Sequence, residues 1–146
     1  MDLDVMVIRS FDELRKQRCT LGIEHDDRIN GGVIVCAKDE PFLYLWLDSF
    51  YEDFRNEWAY NSGQVPTKLA KKYPHLIHIE QKRFHYPNWA MLNQIWGNKT
   101  YPWKDNYTIH MWIRLTNEKD GNPDENPILE FNSTFNQIAR LVYYGK

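Results

Sequence analysis

An α/β fold is predicted by three observations. Short apolar runs at residues 5–8, 20–23 and 33–37 have the length of strands. Between and after them, apolar residues recur at spacings of three and four, the period of helices that lay one face on a core. The resulting order is strand, helix, strand, strand, helix, helix, strand, which is that of a sheet carrying helices. The chain has 146 residues, of which 42% are apolar and 26% charged, so one domain with its own core is expected.

Each element has a local reason. Val5-Met6-Val7-Ile8 is continuously apolar, the pattern of a strand covered on both faces as in a parallel sheet. Ser10 can cap a short helix, with Glu13 completing a capping box before Leu14. Residues 20–23 form a brief strand. The polar stretch Glu24-His25-Asp26-Asp27-Arg28 then leads to Asn30-Gly31-Gly32, which reads as a turn entering the strand at 33–37. Pro41 opens an amphipathic helix at the position where a missing N–H costs nothing. Phe42, Leu43, Trp46, Leu47, Phe50 and Phe54 line one face, with Phe42, Trp46 and Phe50 expected in the core. Asn61-Ser62-Gly63 breaks the chain. Pro66 starts a basic helix ended by Pro74, whose Lys68, Lys71 and Lys72 read as a solvated face. Residues 76–79 are a short strand, and 84–103 an aromatic, structured loop with a helical turn at 90–95. Residues 109–115 have strand character, 117–126 form an acidic loop, and 133–144 a helix carrying Phe135, Ile138, Leu141 and Val142.

Composition excludes some functions and favours others. A net charge of −2 supplies no basic face for nucleic acid. No apolar run is long enough to span a membrane, and the N-terminus lacks the order of a signal peptide. Aromatic residues make up 15%, with six Trp, nine Tyr and seven Phe, as core payload or as platforms for flat ligands such as sugar rings. Two cysteines, Cys19 and Cys36, carry no metal-ligand spacing, and a disulfide between them stays open. Sequons at Asn98, Asn106 and Asn132 point toward a secretory compartment.

One motif carries chemistry. Asp2-Leu3-Asp4 places two carboxylates one residue apart at the head of an apolar run, a compact way to hold a hard divalent cation. The same spacing also occurs in solvated turns.

Several segments, in order, resemble the nucleotide-sugar-dependent glycosyltransferases with an Asp-x-Asp motif, in the group of the α-1,4-glycosyltransferases and the initiating yeast-type mannosyltransferases. Asp2-Leu3-Asp4-Val5 through Ser10-Phe11 is similar to the second half of that family's motif strand. Asn30-Gly31-Gly32-Val33 through Pro41-Phe42 is similar to its glycine-led strand and Pro-Phe helix start. The stretch from Trp58 to Pro66, the segment Phe84-His85-Tyr86-Pro87 and the late segment Tyr107-Thr108-Ile109-His110-Met111-Trp112 resemble further family segments. The likeness covers residues 1 to about 115.

The resemblance implies a partial GT-A-like fold, the C-terminal portion of a Rossmann-like transferase domain. It implies that Asp2 and Asp4 hold Mn²⁺ or Mg²⁺ against a nucleotide diphosphate. His110 becomes a further metal or diphosphate contact, or else a strand histidine beside Trp112. Asn30, Gly31 and Gly32 can hold the donor sugar or its phosphate, or form a plain turn. Trp58, Tyr60 and Asn61 can form a shelf for the acceptor, or pack. Asp26 and Asp27 fit an exposed acidic loop better than a sugar contact.

The expected partners are a nucleotide-sugar donor and a glycan or glycolipid acceptor. Hexose transfer would proceed with retention, without a nucleophile this chain names. The family's Gly-Gly-x-Tyr and its base-binding residues precede the motif and are absent from this sequence. The expectation is therefore a truncated, inactive piece whose full-length form is anchored in the Golgi lumen. The alternative is a non-catalytic carbohydrate-binding domain or an inactive remnant.

Overall fold

The computed structural model describes residues 1–116 and 132–145, so the acidic stretch expected at 117–126 lies outside the described residues. Helices and strands mix as the sequence predicts, and the class is α/β.

Among the described residues the strands form two sheets. β2 (Cys19–His25) is central in the larger, flanked by β3 (Arg28–Cys36) antiparallel and β4 (His78–Glu80) parallel. The smaller pairs β1 (Val5–Val7) with β5 (Thr108–His110), antiparallel. The parallel, doubly covered strand expected at 5–8 is therefore not formed: β1 is one half of an antiparallel ribbon, and Val7 is exposed. Strand character at 109–115 also stops early, because Trp112 takes a left-handed φ of 53° and a tight turn follows at Ile113–Leu115.

The β2–β3 turn is not where Asn30-Gly31-Gly32 suggested. It lies at Asp26-Asp27, both with positive φ (45° and 59°), between the paired His25 and Arg28. Two central residues with φ > 0 match the twist of the strands they join. Asn30-Gly31-Gly32 instead lies inside β3. Leu21 pairs with Ile34 while Gly22 pairs with Asn30, so Gly31, Gly32 and Val33 bulge out of register. A disulfide joins Cys19 to Cys36, which face each other at the far end of the hairpin.

α1 (Pro41–Glu52) and α2 (Val65–Lys72) begin at or beside their prolines, as expected. Phe42, Trp46, Val65 and Ala70 pack against Leu21, Ile23 and Ile29 of the hairpin. The apolar stripe of α1 runs past what the hairpin covers: Phe50 is 39% exposed, with Leu47 and Phe54 more so, which corrects its placement in the core. α3 (Leu92–Ile95) and α4 (Thr134–Tyr144) enclose a second cluster with Trp96, Trp103, Ile109 and Met111. Ser133 caps α4 by accepting from Asn136 N, and Ile138 is fully buried, but Leu141 and Val142 face outward. The capping box at Ser10 does not form. Ser10 turns to Asp12 instead, while the Glu13 carboxylate accepts from the Tyr107 hydroxyl at 2.7 Å.

Candidate metal centre

Sequence neighbours and strand pairing together build the site. Asp2 and Asp4 flank the entry to β1, and the β1–β5 register sets Val5 opposite His110. Two backbone bonds fix the carboxylates: Asp2 N donates to Gly32 O at 2.8 Å, and Met111 N to Asp4 O at 2.8 Å. Asp4 Oδ2 also accepts from Ile113 N at 3.2 Å, reached because the chain reverses at Trp112. His110 Nε2 lies 3.2 Å from Asp4 Oδ1 and 4.0 Å from Asp2 Oδ2. One donor atom from each of the three residues falls within 4.8 Å of the others, so the group can hold a metal ion. Asp2 is open to solvent, Asp4 half-buried and His110 buried, which leaves one side of the group accessible.

The imidazole is held ready for coordination. It stacks on Trp112 with centroids 3.7 Å apart and planes 13° from parallel. Burial pushes the His110 pKa below its ordinary value, against the pull of Asp4 and Asp2, which favours the neutral imidazole. Its Nδ1 is buried without a hydrogen-bond partner, whereas Nε2 faces the carboxylates. Two carboxylates and one imidazole suit a divalent ion, with its remaining positions open to water or an anionic ligand.

Gly32 is the floor of the site. A Cβ there would come within 2.9 Å of Asp2 Oδ2 and 3.1 Å of His110 Cε1. Asn30 holds this backbone: its Oδ1 accepts from Gly32 N at 2.6 Å, and its Nδ2 donates to Glu24 Oε2 at 2.6 Å. Glu24 is buried and accepts from Arg28 Nε at 2.5 Å through its other oxygen. A continuous chain of hydrogen bonds thus runs from Arg28 through Glu24, Asn30 and Gly32 to Asp2. Asn30 is not a turn residue: it lies inside β3, with its amide bonded at both ends. Gly31 lies against Trp46 instead, where a Cβ would meet the indole at 3.0 Å.

The expected acceptor shelf is dispersed. Tyr60 is buried, donates to Asp53 Oδ2 at 2.5 Å and lies under the Arg55 guanidinium. Asn61 uses its amide on the Arg55 backbone and its carbonyl on Trp46 Nε1. These two residues pack, and Trp58, 77% exposed, is the one of the three that stays open. Asp26 and Asp27 form the exposed turn, as the loop reading had it. A cleft of about 530 Å³ between Ile8, Arg9, Trp103 and Leu141 holds none of the three candidate ligands.

Sequence reasoning missed Glu24, read only as part of a polar stretch, and His85. His85 is fully buried behind His110, with ring centroids 5.6 Å apart. Desolvation drives its pKa down to about 3, with His110 adding to the effect. For Glu24 a signal existed: a carboxylate two residues before a tight turn can reach across it to Arg28, the i+4 cation. For His85 no local signal existed.

Fold and site thus define an α/β protein with a candidate divalent-cation centre. A curated protein named Glucan organizing enzyme 1, from Cryptococcus neoformans var. grubii, is 26% identical over 156 aligned positions, covering 96% of this chain and 42% of that protein. The chain therefore spans about two fifths of the relative's length. No protein-family model and no solved structure matches the chain.

Proposed function

We propose that this chain forms part of a metal-dependent glycosyltransferase domain that moves a hexose from a nucleotide-sugar donor to a glycan or glycolipid acceptor, with retention. The observation that carries the reading is the convergence of Asp2, Asp4 and His110, from distant parts of the sequence, on one point. A relative named for glucan organisation agrees with a carbohydrate substrate, and the Cys19–Cys36 disulfide with an oxidising, lumenal compartment such as the Golgi. Activity is assigned to a chain of the relative's length.

Bound Mn²⁺ or Mg²⁺ would neutralise the charge that develops on a departing diphosphate. Asp2 and Asp4 would supply the oxygen ligands, and the His110 Nε2 faces them. The Glu24–Asn30–Gly32 chain keeps the Asp2 backbone in place, so the geometry is set before any ligand arrives.

Titration of the chain with MnCl₂ by calorimetry tests the reading. One site is expected, weakened by roughly tenfold or more in Asp4→Asn, since even an outer-shell partner of a metal ligand is worth about that much. Addition of UDP-glucose or GDP-mannose should tighten the Mn²⁺ affinity. Mn²⁺ affinity that is unchanged in Asp4→Asn would sink the metal role. In a chain of the relative's length, sugar transfer that survives Asp4→Ala would sink the catalytic one.

A further inference from the structure

We propose that the Trp89 indole, backed by the His25 imidazole at the tip of the β2–β3 hairpin, is a stacking platform for a pyranose ring of the acceptor glycan. The inference rests on the glycosyltransferase reading and gives its site an acceptor subsite. The two rings stack with centroids 5.0 Å apart and planes 28° from parallel, and Trp89 remains 36% exposed. Asp26 stands beside the pair, its Oδ2 2.9 Å from His25 Nδ1 and its carboxylate almost wholly in solvent. A sugar ring presents an apolar C–H face and a rim of hydroxyls, and this arrangement offers a flat aromatic surface with carboxylate acceptors at its edge.

The platform is fixed to the same supports as the metal centre. Buried Asn88 donates its Nδ2 to the Glu24 carbonyl at 2.9 Å and accepts from Ala90 N at 3.1 Å, clamping the Trp89 loop to the end of β2. The carboxylate of that same Glu24 holds Asn30, which holds the Gly32 floor. On the other side, Trp112 donates to Pro87 O at 3.1 Å while its ring stacks on His110. Platform and cation site thus share Glu24 and Trp112 as supports. A ring on a loop tied down by the buried Asn88 amide loses less freedom when a ligand stacks on it, which is how a glycan is gripped by few contacts.

The test follows the indole N–H signals of the ¹⁵N-labelled full chain as maltohexaose, laminarihexaose and mannohexaose are added separately, without metal or nucleotide. One of them is expected to shift the Trp89 signal, assigned through Trp89→Phe. Its affinity should fall at least about tenfold in Trp89→Ala, less in Trp89→Phe and His25→Ala, and not at all in Tyr51→Ala, a control on exposed α1. The proposal is overturned if no oligosaccharide shifts that signal, if Trp89→Ala binds as the native chain does, or if binding is lost in Trp58→Ala instead. Mn²⁺ titration of the same samples separates the two ideas. Glycan binding at Trp89 in a chain that takes up no Mn²⁺ supports the platform and removes the transferase reading. Mn²⁺ uptake without glycan binding does the reverse.

Discussion

At Gly32 a single hydrogen atom in place of a side chain decides whether the candidate ligands can converge. A methyl group would sit 2.7 Å from Asn30 Oδ1 and 2.9 Å from Asp2 Oδ2, so Asp2 would have to swing out. Gly32→Ala is expected to fold, because Asp2 is at the surface, and to lose roughly tenfold or more in Mn²⁺ affinity by calorimetry. His85 makes a second prediction at this scale. Its pKa is about 3 in the folded protein against an ordinary 6.5, so between those values the unfolded chain binds a proton that the folded chain refuses. Stability is therefore fully present above about pH 6.5 and falls as the pH drops toward 3. Thermal melts in metal-free buffer should show this decline, and His85→Phe should flatten it. An unchanged slope in that variant would assign the acid sensitivity elsewhere.

At the scale of elements, the β2–β3 hairpin is closed twice, by the Asp26-Asp27 turn and by the Cys19–Cys36 disulfide, with the Gly31-Gly32-Val33 bulge between them. The cross-link removes loop freedom from the unfolded chain over a separation of 17 residues. On the chain-entropy account its reduction costs ~3 kcal/mol, which should appear as a lower urea midpoint in dithiothreitol. A midpoint that does not move would mean that the thiols are already free. The helices were readable because prolines and a three-to-four period speak locally. Strand partners were not, and the turn was misplaced for a physical reason. Asn-Gly-Gly carries the stronger intrinsic turn preference, yet Asn30 finds both its amide partners within the sheet, in Glu24 and Gly32 N, and the two aspartates take the positive φ instead. Asp2 and Asp4 were visible as a spacing. That His110 belongs with them depends on the Val5–His110 pairing, which no local pattern announces. For Tyr60 and Asn61 shelf and packing stayed open because buried and exposed polar side chains read alike in a sequence, and here Asp53, Arg55 and Trp46 take up their polar groups.

For the whole molecule, burial sorts the three sequons. Asn98 and Asn132 are exposed, whereas Asn106 is buried and donates to Tyr86 O at 2.5 Å. Expression through a secretory host should place glycan at Asn98, read by mass spectrometry after glycosidase treatment, and leave Asn106 bare. A glycan found at Asn106 in folded protein would contradict the packing of that loop. The larger arrangement is two small sheets that meet where Asp2 N reaches Gly32 O, with Asp2 from the β1 side and the bulge from the other. Asp2, Asp4 and His110 all stand on the β1–β5 side of this seam, so a ligand they hold rests against the Gly32 bulge of the other sheet. Its affinity and the docking of the two sheets are then one coupled equilibrium: whatever factor the ligand contributes to closing the seam, a closed seam returns to the ligand.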